Sequence, residues 1–151
     1  MLSKIDRRIL KLLQDDGRVS YAAIARQVRL SPSACFEHIK RLRNDGYITG
    51  FTAVLDPARL DQALLIFVEI VLDRTTPDVF DAFAQAIKRM PEVQECHMVA
   101  GGFDYLIKAR VKDMTAYREF LGESLTRLPG VRQTHTYAVM EEVKNSIRLP
   151  L

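Results

Sequence analysis

Only two cysteines occur in the 151 residues, Cys35 and Cys96, 61 positions apart and with no CxxC pair. Thiols this sparse favour a reduced, cytoplasmic setting over a disulfide framework. Long apolar runs are missing too. The longest, Ala63 to Val68, has six residues, far short of the ~20 that a spanning helix needs, so no membrane segment is expected. Met1-Leu2-Ser3-Lys4 leads straight into a charged helical pattern, so no secretory leader is expected either. There is no nucleophile elbow, no P-loop and no dinucleotide fingerprint. Glu141 and Glu142 are neighbours on an extended segment and so point to opposite faces. His38, His97 and His135 are widely separated, and Cys96-His97 alone is no zinc spacing. No enzyme, cofactor or metal is expected.

What is present is an ordinary globular composition, 48% hydrophobic and 27% charged, which excludes disordered and fibrous classes. The formal net charge of +3 is unevenly spread: residues 1–56 carry ten Lys/Arg against six Asp/Glu, and residues 57–151 carry twelve against thirteen. A basic front half joined to a near-neutral back half suggests a polyanion-facing module plus something else.

Three helices can be read in the first fifty residues. Ser3 caps the first, with Asp6 in a capping-box position and Ile5, Ile9, Leu12 and Leu13 on one face. Gly17 is expected to end it in a left-handed cap. Ser20 opens a short second helix, and Ser31-Pro32 opens a third that runs to Asp45 before Gly46. At 100° per residue, Cys35, Ile39 and Leu42 of the third helix form its inward stripe. Ser33, Glu37, Lys40, Arg41 and Asn44 lie opposite. That is helix-turn-helix logic: Lys40 and Arg41 suit phosphates, Ser33 and Glu37 suit base edges, and Arg43 could add a flanking phosphate contact. A solvated surface helix would show the same basic residues. The helix order, the charge split and the β-rich segment Tyr47 to Leu55, read as a wing and an exit strand, favour double-stranded DNA.

The back half has another rhythm. Leu64 to Leu72 is apolar apart from Glu69, as in a strand buried on both faces. A helix follows from Thr76-Pro77 with Phe80, Phe83, Ile87 and Met90 inward, then strands over Val93 to Val99 and Tyr105 to Val111. Asp113 caps a helix carrying Met114, Tyr117, Leu121, Leu125 and Leu128 on one face, and Val131 to Val143 is the last strand. The order β-α-β-β-α-β is the ferredoxin-like doubling. Arg89-Met90-Pro91-Glu92-Val93 and Arg127-Leu128-Pro129-Gly130-Val131 match at an offset of 38, which also pairs His97 with His135. One sheet face should be open and apolar, and so covered by a second copy.

In Gly101-Gly102-Phe103-Asp104-Tyr105, adjacent glycines could offer backbone N–H groups to a carboxylate while Asp104 meets an ammonium. A plain turn using positive φ explains the same glycines, and the bare sequence favours it.

Taken together, the chain resembles the bacterial Lrp/AsnC transcription regulators, nearest their leucine-responsive branch. Ile5-Asp6, Ile9-Leu10, Asp16-Gly17-Arg18, Leu30-Ser31-Pro32-Ser33 and Arg41-Leu42 carry the resemblance in the front half. Phe67-Val68-Glu69-Ile70, Gln94-Glu95-Cys96-His97, Phe103-Asp104-Tyr105, Tyr117-Arg118 and Val139 to Val143 carry it in the back half. The resemblance implies an α+β chain: a winged helix-turn-helix over 1–50, a hinge strand and connector over 51–63, a ferredoxin-like domain over 64–145 and a tail over 146–151. Ser31 and His38 join the DNA-facing set. The family's homodimers assemble four to a ring, an octamer, with an amino-acid effector between dimers. By position the pocket draws on Met98, Gly101, Gly102, Asp104, Met114, Tyr137, Ala138 and Val139, which reverses the preference for a plain turn. Leucine, methionine and proline are candidate effectors; the cytoplasmic nucleoid is the expected location. An architectural DNA-bending protein without a working effector site is the alternative. Leucine-responsive relatives commonly carry an acidic residue where this chain has Gly102, and relatives often carry arginine at the place of His38; both bear on effector and operator.

Overall fold

The computed structural model describes residues 2–151. The chain divides into two compact units, one formed by the residues through Val54 together with Lys144–Leu151, the other by Leu55–Val143. The C-terminal tail thus belongs with the N-terminal helices. Gln14 holds it by exchanging hydrogen bonds with the backbone of Leu149: its Oε1 accepts from the Leu149 N–H at 2.7 Å and its Nε2 donates to the Leu149 carbonyl at 3.1 Å. Arg148 pairs with Asp15 at 3.1 Å.

In the first unit, α1 (Lys4–Asp15), α2 (Tyr21–Val28) and α3 (Pro32–Asn44) each begin at a serine cap, Ser3, Ser20 and Ser31. Each hydroxyl accepts a backbone N–H that the first helical turn leaves unpaired. Ile9, Leu10, Leu13, Ile24, Ala25, Cys35, Ile39 and Leu42 form the shared core; Ile5, expected inward, is 37% exposed. The turn between α2 and α3 closes on Arg29, which takes the left-handed conformation at φ 58°, while the Leu30 N–H reaches back to the Ala25 carbonyl at 2.9 Å.

Two further expectations fail here. Gly17 takes no left-handed cap: α1 ends at Asp15, the extended Asp16 caps it, and the left-handed glycines are Gly46 and Gly130. Gly17 instead gives room to Phe51, whose ring lies 3.3 Å from where a Cβ would sit. Nor do Tyr47 to Leu55 form strands. The segment pairs with no strand among the described residues, and Val54 and Leu55 are exposed. β-propensity extends a backbone, but a ladder needs a hydrogen-bonding partner.

The second unit follows the expected order: β1 (Leu64–Leu72), α4 (Pro77–Ile87), β2 (Val93–Met98), β3 (Tyr105–Val111), α5 (Met114–Glu123) and β4 (Val131–Ala138). The sheet order is β2-β3-β1-β4, every neighbour antiparallel. Alternate residues of β1 and β3, from Ile66 to Leu72 and from Tyr105 to Val111, face the helices and bury a core with Val79, Phe83, Ile87, Tyr117, Phe120, Leu125 and Leu128. Phe83 stacks on Tyr105 at 4.4 Å. Met114, expected in that stripe, is exposed, and Phe120 takes the buried place. The strand β1 is not buried on both faces: Phe67, Glu69 and Val71 are only half-buried. β4 stops at Ala138, short of the expected Val143.

The open sheet face is mixed rather than apolar. Lys108 pairs with Glu95 at 2.8 Å, His97 reaches the same Glu95 at 3.1 Å, and His135 lies 3.6 Å from Glu69. Arg110 is buried there and bound to Glu142 at 2.5 Å. The two histidines that the internal repeat relates sit on opposite edge strands, each beside a glutamate of this face.

Candidate nucleic-acid interface and effector site

On α3 the apolar stripe anchors the helix to α1 and α2 and leaves a polar face outward. The seven residues expected on DNA fall into three groups. Ser31 and Ser33 are occupied locally: the Ser31 hydroxyl caps the helix and lies 3.1 Å from that of Ser33. His38 and Arg41 turn toward α1, where both meet one carboxylate oxygen of Asp6, at 2.8 and 2.6 Å. Glu37, Lys40 and Arg43 are exposed and, among the described residues, make no ion pair.

Asp6 is 2% exposed and accepts four hydrogen bonds. Its Oδ2 takes the Ser3 N–H at 3.0 Å and the Ser3 hydroxyl at 2.7 Å. Burial pushes its carboxyl pKa up, but the bonds from His38 and Ser3 and the charge of Arg41 outweigh burial and hold it well below the usual carboxylate range. A carboxylate held down in this way stabilises the folded chain above about pH 4 and ceases to as acid protonates it in the native state.

Sequence reasoning missed the aromatic flank. Phe36 and Tyr21 are partly exposed, with ring centroids 5.9 Å apart. With Lys40, Arg43, Asn44 and Phe51 they border a groove of about 520 Å³. The same 100° spacing that found the core stripe puts Phe36 beside Arg43. A basic groove with an aromatic wall can hold a phosphate chain and offer apolar contact to a thymine methyl.

In the second unit the eight expected effector residues form two groups. Met98, Gly101, Gly102 and Asp104 lie where β2 turns into β3, level with Ile70 of β1, since Met98 pairs with Tyr105 and Tyr105 with Ile70. Tyr137, Ala138 and Val139 lie at the other end of the sheet, where Ala138 pairs with Ile66 and the Val139 N–H donates to the Leu65 carbonyl. Met114 joins them as the first residue of α5, just after Val111, the partner of Leu64. From Ile70 to Ile66 is about 13 Å along the strand, and β2 and β4 are opposite edges. One protomer does not bring the eight together.

The loop glycines are not explained by the turn. Neither Gly101 nor Gly102 has positive φ, and a Cβ on either would meet nothing within 4 Å. Asp104 is half committed: its Oδ2 accepts the Leu72 N–H at 2.7 Å, its own N–H donates to the Ile70 carbonyl, and its carbonyl accepts from Val99. Its Oδ1 has no hydrogen-bond partner among the described residues. Tyr137 donates to Glu69 at 3.1 Å. A separate groove of about 280 Å³ between α4 and β2 includes Cys96 and none of the eight; burial pushes the Cys96 thiol up to about 11, so it stays protonated and unreactive at neutral pH. Among the described residues no helix is long and apolar enough to cross a membrane.

Known proteins share both halves of this arrangement. Residues 2–49 match the winged helix-turn-helix DNA-binding family, and residues 65–149 match the Lrp/AsnC ligand binding domain. The leucine-responsive regulatory proteins of Escherichia coli K12 and Klebsiella pneumoniae are each 56% identical over 148 residues, 98% of this chain and 90% of the relative. A transcriptional regulator from Neisseria meningitidis, solved as its L-Met complex, superposes with a TM-score of 0.94 at 32% identity, covering 99% of this chain and 97% of that one. An AsnC family regulator from Agrobacterium tumefaciens gives 0.93 at 30% identity, with the same coverage of both chains. The basic helix and the two-ended sheet therefore sit in a member of the Lrp/AsnC family, a transcription regulator, not an enzyme, that joins a DNA-binding helix-turn-helix to an amino-acid-binding domain.

Proposed function

We propose that the chain acts as a homo-oligomer on double-stranded DNA in the cytoplasm, associated with the nucleoid, and that its effector site is assembled from two protomers. One contributes Met98, Gly101, Gly102 and Asp104, the other Met114, Tyr137, Ala138 and Val139. The observation that carries this reading is the placing of these groups at opposite ends of one sheet. Glycines that the turn does not require leave the loop backbone open to a carboxylate, and the free Oδ1 of Asp104 suits an ammonium. Methionines and small apolar residues suit an apolar side chain, so leucine, methionine and proline are the candidates; the L-Met complex of the Neisseria relative supports methionine. The buried Nη1 of Arg110 lacks a partner among the described residues, on the sheet face that a second copy would cover. Closed assembly of such dimers into an octamer would repeat the shared seam around a ring.

Complementation tests the shared site. Gly102→Arg blocks one half and Ala138→Arg the other, and neither variant alone should show effector-dependent DNA binding. Co-expressed, the two should regain a response, because about a quarter of randomly mixed seams would carry two intact halves. A response in either single variant, or none in the mixture, contradicts a site shared in this way.

A further inference from the structure

The recognition helix carries four basic or imidazole groups, and the structure divides them into two pairs. Lys40 and Arg43 are exposed and make no ion pair among the described residues, whereas His38 and Arg41 converge on Asp6 of α1. Both place a nitrogen on the same Oδ1, and their own nitrogens are 3.3 Å apart. A carboxylate oxygen only accepts, so His38 must carry its proton on Nδ1 to make the 2.8 Å bond. The short His38–Arg41 approach follows from sharing one acceptor. With Nδ1 fixed inward, Nε2 is left on the opposite side of the ring. It has no partner among the described residues, and the side chain is 26% exposed.

We infer that Asp6 is a positioning residue for DNA binding: it ties up Arg41 and aims His38 Nε2 at the DNA backbone, making His38 a proton-dependent phosphate contact. A neutral ring offers Nε2 as an acceptor, which a phosphate cannot use. Protonation turns the same atom into a charged donor at an unchanged position. The charged groups that face this ring among the described residues are Asp6 from α1 and Arg41 from α3 itself. Arg41 is permanently charged and Asp6 stays ionised throughout the range in which a histidine titrates. Neither changes state, so the histidine alone supplies the response. The inference rests on α3 being the helix that meets DNA.

The test uses the full chain and a duplex from its own upstream region, titrated from pH 8 to 5.5 at several salt concentrations. The wild-type protein should bind about tenfold more tightly at the acid end, and its salt slope should steepen by about one for each docked helix. His38→Gln should keep the alkaline affinity and lose the pH dependence, and His38→Arg should show the acid-end slope at every pH. Asp6→Asn should flatten the profile without lowering the alkaline affinity, since it also releases Arg41. Ser3→Ala, which removes the hydroxyl's cap bond and its bond to Asp6 Oδ2 but leaves the Ser3 N–H and both Oδ1 contacts, should keep the profile and so separates positioning from capping. A flat wild-type profile, or one retained by His38→Gln, overturns the inference while leaving DNA binding by α3 intact. So does a pH response with an unchanged salt slope, or a Ser3→Ala profile as flat as that of Asp6→Asn. Absence of wild-type binding at every pH would instead reject α3 as the DNA-facing helix, and the inference with it.

Discussion

Gly130→Ala should destabilise the chain by about 2–5 kcal/mol, the sum of a left-handed penalty of about 1–2 and an overpacking cost of about 1–3. Gly130 has φ +74°, and an added Cβ would stand 2.4 Å from Val79 Cγ1 and 3.3 Å from an Asp73 carboxylate oxygen. The neighbours cannot easily yield. Val79 is buried against the sheet, and the Gly130 carbonyl is fixed by the Asp73 N–H at 2.8 Å. Gly102→Ala is the control, because that position has ordinary φ and open space around it. Thermal unfolding should show a Tm lowered by about 10 °C or more for Gly130→Ala and little change for Gly102→Ala. Equal Tm values would remove the packing argument for this turn.

Lys40→Ala and Arg43→Ala should each cost about tenfold or more in DNA affinity and lower the salt slope by about one per lost phosphate contact. The two together should leave binding weak across all sequences. Arg41→Ala should cost less in slope than either, although the sequence alone places Arg41 among the phosphate-binding residues. The difference is Asp6: the Arg41 guanidinium lies 2.6 Å from a carboxylate that already neutralises it. Binding isotherms over a salt series decide the point. A slope that falls as far for Arg41→Ala as for Lys40→Ala would show that the ion pair opens on DNA.

Much of this was legible in the residues because the relevant physics is local. Serine caps, the Pro32 start and the stripe of Cys35, Ile39 and Leu42 are set within one or two turns, and all appear as expected. The order of strands and helices in the second unit was readable for the same reason. The failures are non-local. Asp6 reads as half of a capping box, and it is; nothing in the spacing says that residues 32 and 35 positions away share its other oxygen. Gly17 looks like a helix stop, yet its smallness makes room for Phe51, a contact across 34 positions. Tyr47 to Leu55 has strand propensity without a strand to pair with. The charges of the open sheet face alternate with apolar residues, and only the register shows that Glu95 meets Lys108 and Glu69 meets His135. The effector residues could be placed by resemblance, but that they lie at opposite ends of one sheet follows only from the pairing.

The most direct measurement is a thermal-shift panel of the purified protein against each of the twenty L-amino acids, followed by DNA binding with any ligand that scores. A ligand that binds only the folded state adds about 2.7 kcal/mol at one hundred times its Kd. An amino-acid-responsive regulator should show a raised Tm with one or a few apolar amino acids, and the same ligands should change its DNA affinity. Twenty unchanged traces, with DNA binding intact, would contradict the effector account and leave an architectural DNA-binding protein.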